Sequence, residues 1–467
     1  MTSPRDPHSP DGDAFRVTED GASRPVSATT DKPVRRTIPL VPAGSVSTTG
    51  ALGTGGTLGP VYPDPLPEGP ADAARAFLAP GRLRLSALPP LSLYIHFPWC
   101  VRKCPYCDFN SHEWQGADGL PEQAYLDALC ADLESALPLI WGRRIHSIFI
   151  GGGTPSLMSA AGLDRLLADI RARLQLDPQA EITLEANPGT FEAEKFARYR
   201  ESGVNRLSIG IQSFDEAMLK KLGRIHDAKE ARAAVEIAAR TFDNFNLDLM
   251  FALPGQDLAG CQEDLRTALS FAPPHLSLYH LTLEPNTLFH KFPPPALPDD
   301  DSAADMHEWI TQTMGDAGYR HYEVSAYAQP GRRSQHNTNY WQFGDYLGIG
   351  AGAHGKLSFP ERIVRQVRYK HPATYMAKAI AGDAVQESNE VANADLPFEF
   401  MLNALRLDEG VPVQMFAERT GLPATVLSKH RDEAERRGFL VPDPLRIMPT
   451  PLGQRFLNDL QEIFLAG

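Results

Sequence analysis

Cysteine is scarce: the 467-residue chain has five, and three of them fall within eight residues, Cys100 to Cys107. That distribution excludes a disulfide-stapled fold and suits metal ligation in a reducing compartment. Positive charge is short as well. Forty-five Lys and Arg against 58 Asp and Glu leave a formal net charge of −13, which gives nucleic acid no electrostatic footprint on the chain as a whole. Long apolar runs are missing too, and nothing approaches the ~18 residues a membrane span requires. The first 21 residues lack the basic-then-apolar order of a secretory signal, so a cytoplasmic location is expected.

What is present is ample apolar material: 42% of residues, with 9% aromatic, enough for more than one folded unit. Residues 1–88 hold about a third of the 40 prolines and runs such as Ser45-Val-Ser-Thr-Thr-Gly-Ala-Leu-Gly-Thr-Gly-Gly56. Such a composition buries too little apolar surface to offset its ordering entropy, which predicts a disordered extension. From Leu91 the pattern changes. Short apolar runs at 93–97, 147–150, 181–185, 206–210, 246–250 and 275–280 alternate with helix-length amphipathic stretches at 121–137, 160–174, 192–202, 229–241 and 258–271. This predicts an α/β fold of six parallel strands with crossover helices, a partial (β/α)6 barrel over residues 89–300, completed by residues 301–392. Residues 393–467 read as helices followed by a short extended tail, a mostly helical winged-helix-like domain suited to protein contact.

The loops after these strands carry the residues with chemistry, and in parallel sheets such loops converge on one site. Cys100-Val-Arg-Lys-Cys104-Pro-Tyr-Cys107 spaces its thiols as C-x3-C-x2-C. Three thiolates hold three irons of a [4Fe-4S] cubane and leave the fourth iron open to a ligand such as S-adenosylmethionine (SAM). A zinc site is the alternative; it wants a fourth Cys or His, and His96 and His112 flank the loop. Cys130 and Cys261 lie in helical stretches as small core residues. Gly151-Gly-Gly-Thr-Pro155 can bring backbone N–H groups against the amino and carboxylate ends of SAM. Glu185 ends a strand, where it could accept from a ribose or an ammonium. Gln212 and Arg224 follow the fourth strand and suit ribose hydroxyls and a carboxylate. Asp248, inside a strand, is costly unless paired or ligand-bound.

The segment Leu93-Tyr-Ile-His-Phe-Pro-Trp-Cys-Val-Arg-Lys-Cys-Pro-Tyr-Cys-Asp-Phe-Asn-Ser-His112 resembles the radical-SAM coproporphyrinogen oxidase-like family, and within it the heme-chaperone branch. The resemblance runs from about Leu91 to Leu460. It implies that Cys100, Cys104 and Cys107 hold the cluster and that Tyr94, Gly152, Gly153, Thr154, Glu185, Gln212, Arg224 and Asp248 surround SAM. The oxidase branch reads C-x3-C-x2-C-x-C, whereas Phe109 stands here at the fourth position. His336-Asn-Thr-Asn-Tyr-Trp341 matches the HNxxYW pattern of the chaperone branch: His336 is a candidate axial ligand for heme, with Tyr340 and Trp341 as faces for a porphyrin. His354 is a second imidazole with an equally structural reading. The resemblance thus implies a heme chaperone that passes heme to apo-hemoproteins of the respiratory chain, with peripheral membrane-protein contact and a homodimer both compatible. Oxidative decarboxylation of a porphyrinogen is the competing activity.

Overall fold

The computed structural model describes residues 83–465 apart from 115, 117, 118 and 191. Six strands, β1 (Leu91–Phe97), β2 (Arg144–Gly152), β3 (Gln175–Ala186), β4 (Arg206–Gln212), β5 (Phe245–Phe251) and β6 (His275–His280), lie side by side in chain order and pair in parallel. The connections carry α1 (Glu122–Ala136), α2 (Ala160–Arg173), α3 (Ala193–Ser202), α4 (Ala228–Thr241) and α5 (Leu258–Ser270). These elements sit where hydrophobic periodicity predicts them. β3 begins earlier than expected because Gln175 and Leu176 already pair with Arg144 and Ile145. Helix starts follow local chemistry: Ser159 and Asp257 each accept from a first-turn N–H, and Asp227 forms a reciprocal capping box with Glu230.

Beyond a helix α6 (Asp300–Asp316), β7 (Arg320–Glu323) and β8 (Ala326–Ala328) extend one side of the sheet, β8 pairing antiparallel with β6 and β7 antiparallel with β8. A short helix α7 (Gln335–Trp341) then leads to β9 (Asp345–Ile349), which pairs in parallel with β1. β10 (His354–Phe359), β11 (Arg362–Arg368) and β12 (Val385–Glu390) continue that side antiparallel. The order is β12-β11-β10-β9-β1-β2-β3-β4-β5-β6-β8-β7, and among the described residues the two ends do not pair, so the barrel is open.

Strand periodicity sorts the side chains between two faces. Leu91, Leu93, Ile95 and Phe97 of β1 and Ile148 and Ile150 of β2 join the helix-side core, where Phe97 meets Tyr125 of α1 edge to face. Ser92, Tyr94, His96, Ser147 and Phe149 therefore face the concave interior, and Ser92 and Ser147 hydrogen-bond there at 2.8 Å.

A second core joins Tyr340, Trp341, Phe343 and Tyr346 to Phe400, Phe416, Leu427 and Leu440. Its helices include α8 (Leu396–Ala404), α9 (Val413–Thr420) and α10 (Ser428–Arg436), with a two-residue pairing of Val411–Pro412 against Arg446–Ile447. Of the extension expected over residues 1–88, residues 1–82 lie outside the described residues. Within its last six, Leu83 and Leu85 are buried in the second core and Leu85 N–H donates to Pro360 O, because these two leucines bury on a ready apolar surface, whereas Ser86, Ala87 and Leu88 are exposed. Among the described residues no helix is long and apolar enough to cross a membrane.

Candidate functional site

Leaving β1, the chain crosses Trp99 and Cys100, which pair with His112 and Glu113, so the intervening loop is pinched at its base. All three thiols of this loop are half-buried, and each sulfur has a side-chain hydrogen-bond partner. Thr154 Oγ1 donates to Cys100 Sγ at 3.4 Å, Arg224 Nη1 donates to Cys104 Sγ at 3.5 Å, and Ser111 Oγ lies 3.7 Å from Cys107 Sγ. Burial raises the thiol pKa of Cys100 and pushes that of Cys107 to about 11. Among the described residues no three Cys, His, Asp or Glu side chains converge as one metal ion would need. A cubane asks for no such convergence, since each thiolate takes a different iron. The flanking histidines are also engaged elsewhere: His96 bonds Tyr94 OH and Asn110 O, and His112 bonds Asn110 Oδ1. Three soft donors on one loop, without a fourth ligand, fit an iron–sulfur cluster better than zinc.

Asn187 links two of the sulfur partners. Its Nδ2 donates to Thr154 Oγ1 at 2.9 Å and its Oδ1 accepts from Arg224 Nη2 at 2.6 Å. Arg224 Nη2 also donates to Gly210 O at 2.8 Å. The guanidinium expected to meet a ligand carboxylate thus has both terminal nitrogens engaged by the cysteine loop and its surroundings. Asn187 stands two residues beyond Glu185 in the sequence, but its role needs the tips of β2, β3 and β4 to meet.

The glycine loop departs from expectation. Gly152 N–H donates to Glu185 Oε2, Gly153 N–H to Phe97 O and Thr154 N–H to Trp99 O. Those donors are therefore used within the protein rather than presented to a ligand. The glycines are needed for close packing: a Cβ on Gly153 would lie 2.5 Å from Trp99 O, and Gly152, at φ +114°, would place one 2.5 Å from the His96 ring.

Glu185 and Asp248 share the concave face. Burial, then the neighbouring Asp248 charge, raises the Glu185 carboxyl to about 8, against the opposing pull of the Gly152 N–H. Asp248 is also raised by burial, yet it is not unpartnered: Ser208 Oγ and Asn246 Nδ2 donate to its two oxygens at 2.9 and 2.8 Å. Gln212 ends β4 at φ +67°, where a register shift breaks the β4–β5 ladder; such left-handed strain in a non-glycine residue is characteristic of ligand-binding turns. Tyr94 points inward beside them, its hydroxyl 2.9 Å from His96 Nδ1.

His336 stands apart from this rim. It lies on a helix rather than a loop and is 1% exposed, stacked on Phe149 with ring centroids 5.0 Å apart and lying edge-on to Tyr340. Nδ1 is 3.0 Å from Ser147 Oγ, whereas Nε2 has no partner among the described residues. Burial, with a smaller push from Arg206, lowers its pKa to about 3. The residue is a neutral imidazole with one nitrogen held and one available, the donor chemistry of an axial iron ligand. His354, half-buried at the start of β10, is likewise lowered to about 4, burial being the main cause.

Residues 94–268 match the radical SAM superfamily and residues 391–456 the HemN C-terminal domain. Over 381 residues the chain is 50% identical to the heme chaperone HemW of Escherichia coli, a match spanning 81% of this chain and 99% of that protein. The chain belongs to the HemW family. Heme chaperone HemW of Haemophilus influenzae is 50% identical over 385 residues, and that of Bacillus subtilis is 35% identical over 382, each match covering 99% of the relative. The solved structure of coproporphyrinogen III oxidase (HemN) from Escherichia coli, a radical SAM enzyme, superposes with a TM-score of 0.69 over 81% of this chain and 90% of its own. At 22% identity it establishes that this HemW-family chain has the radical-SAM fold.

Proposed function

We propose that this chain is a heme chaperone of the cytoplasm, which binds heme and passes it to apo-hemoproteins of the respiratory chain. The observation that carries this reading is the 50% identity to curated heme chaperones across essentially their whole length. In this reading Cys100, Cys104 and Cys107 hold a [4Fe-4S] cluster, a group that when bound supplies one-electron chemistry and an open iron for SAM. Thr154, Ser111 and Arg224, tied together in part by Asn187, keep the sulfurs in place. Tyr94, the Gly152–Thr154 turn, Glu185, Gln212 and Asp248 line the space for SAM beside that loop, with Glu185 the carboxylate for a cationic group. His336 Nε2 is the heme ligand, met on the concave side of the sheet.

The competing reading is porphyrinogen decarboxylation. Phe109 disfavours it, because a phenyl ring cannot take over thiol chemistry. The deciding experiment incubates the reconstituted protein anaerobically with SAM and coproporphyrinogen III while heme is titrated in parallel. Stoichiometric heme binding without protoporphyrinogen is expected; protoporphyrinogen formation would overturn the chaperone reading.

A further inference from the structure

Four of the seven residues of α7 carry a buried side-chain polar atom with no hydrogen-bond partner among the described residues: His336 Nε2, Asn337 Oδ1, Tyr340 OH and Trp341 Nε1. Native proteins keep such orphans few, because each forfeits its hydration without recompense. Their concentration on one short helix means that α7 is seated by other contacts. At its start Glu181 Oε1 accepts from Ser334 Oγ and from the N–H groups of Gln335 and His336. At its end the guanidinium of Arg406 lies 4.3 Å from the centroid of the Trp341 ring.

Arg406 arrives from the C-terminal region, just beyond α8. It is half-buried, its Nε has no partner among the described residues, and its carboxylate neighbour Glu323 stands 3.8 Å away. The adjoining backbone is stitched to the barrel: Leu407 bridges Glu323, and Asp408 N–H donates to Tyr322 O. An ion pair this loose, with its cation half-buried, is a poor source of stability and a good candidate for a two-state contact. Stacking a half-buried cation on an indole supplies attraction that one rotamer change abolishes.

We propose that Arg406 is a positioning residue for the heme-binding imidazole: stacked on Trp341, it latches α7 against the concave face and shields His336, and withdrawal of the guanidinium frees α7. The C-terminal region thereby controls access to the ligand nitrogen. This rests on the assignment of His336 as heme ligand, made above.

The test uses the full chain with its cluster and the double variant Arg406→Met/Glu323→Gln, which removes the cation without stranding its carboxylate. Amide hydrogen exchange over residues 335–341 is expected to speed up about tenfold while β1–β6 stay protected. Heme association and dissociation, followed by stopped-flow absorbance, should both accelerate about tenfold, with the Kd moving less than about threefold, as for a gate. Arg406→Lys keeps the charge and loses the planar stack, so a smaller change in the same direction is expected of it; it carries the test alone should the double variant not fold. Wild-type exchange over 335–341 in folded variants overturns the latch. Exchange reads the latch without heme, whereas a heme titration of His336→Ala reads the ligand assignment, so the two failures are distinguishable.

Discussion

Gly152 N–H donates to Glu185 Oε2 at 3.0 Å, and the same carboxyl sits close enough to Asp248 for that residue's charge to raise its pKa. Two half-buried acids on one concave face do not both ionise cheaply, which favours the protonated form of Glu185.

Stability should record that proton. The folded Glu185 carboxyl titrates at about 8 against an ordinary value of 4.5, so folding takes up a proton between these limits. The stabilisation is fully present below pH 4.5 and is lost as pH rises through 8, by up to a few kcal/mol. Urea unfolding midpoints of the metal-free protein should fall between pH 6 and 8.5, and Glu185→Gln should flatten that slope. Equal slopes in both proteins would show that Glu185 is ionised throughout.

SAM brings a sulfonium and an ammonium, and either beside Glu185 favours the carboxylate. Binding near pH 7 should therefore release a proton. Calorimetry in two buffers of different ionisation enthalpy measures it directly; no buffer dependence would remove Glu185 from the binding surface.

Asn187→Ala breaks the tie between Thr154 and Arg224. Fold stability should drop by about 1–2 kcal/mol. The larger effect should be on the cysteine loop: lower iron content after reconstitution and faster loss of visible absorbance in air. Replacing Cys100, Cys104 and Cys107 together should abolish that absorbance, and stoichiometric iron in the triple variant would move the cluster elsewhere.

His336 remains neutral to about pH 3, so its capacity to ligate iron should not decline between pH 8 and 6, as that of an ordinary imidazole would. Heme titrations at both pH values should give affinities within about threefold. His336→Ala should weaken heme binding at either pH and leave the iron–sulfur absorbance unchanged.

Gly152→Ala tests the packing reason for the glycine turn. A positive φ and a Cβ driven into the His96 ring should cost about 2 kcal/mol or more, measured as a lower Tm. A neutral effect would return the glycines to a role in ligand approach.

The strand–helix alternation and the cysteine motif were legible in the sequence because both are local. Period-two and helical patterns and the C-x3-C-x2-C spacing depend only on neighbours along the chain. The residues able to line a site could be named for the same reason: they end strands whose order follows from parallel crossover topology. What they touch was decided by tertiary structure. Arg224 turned to Cys104 and Asn187, the glycine N–H groups were taken by Glu185, Phe97 and Trp99, and His336 went inward onto Phe149. Each of these pairings joins residues far apart in sequence, and hydrogen-bond competition in a buried space is settled only when all the strands are present. The Arg406–Trp341 stack is the extreme case. Nothing around Arg406 in the sequence marks it; only packing the C-terminal helices against α7 places a cation on that ring.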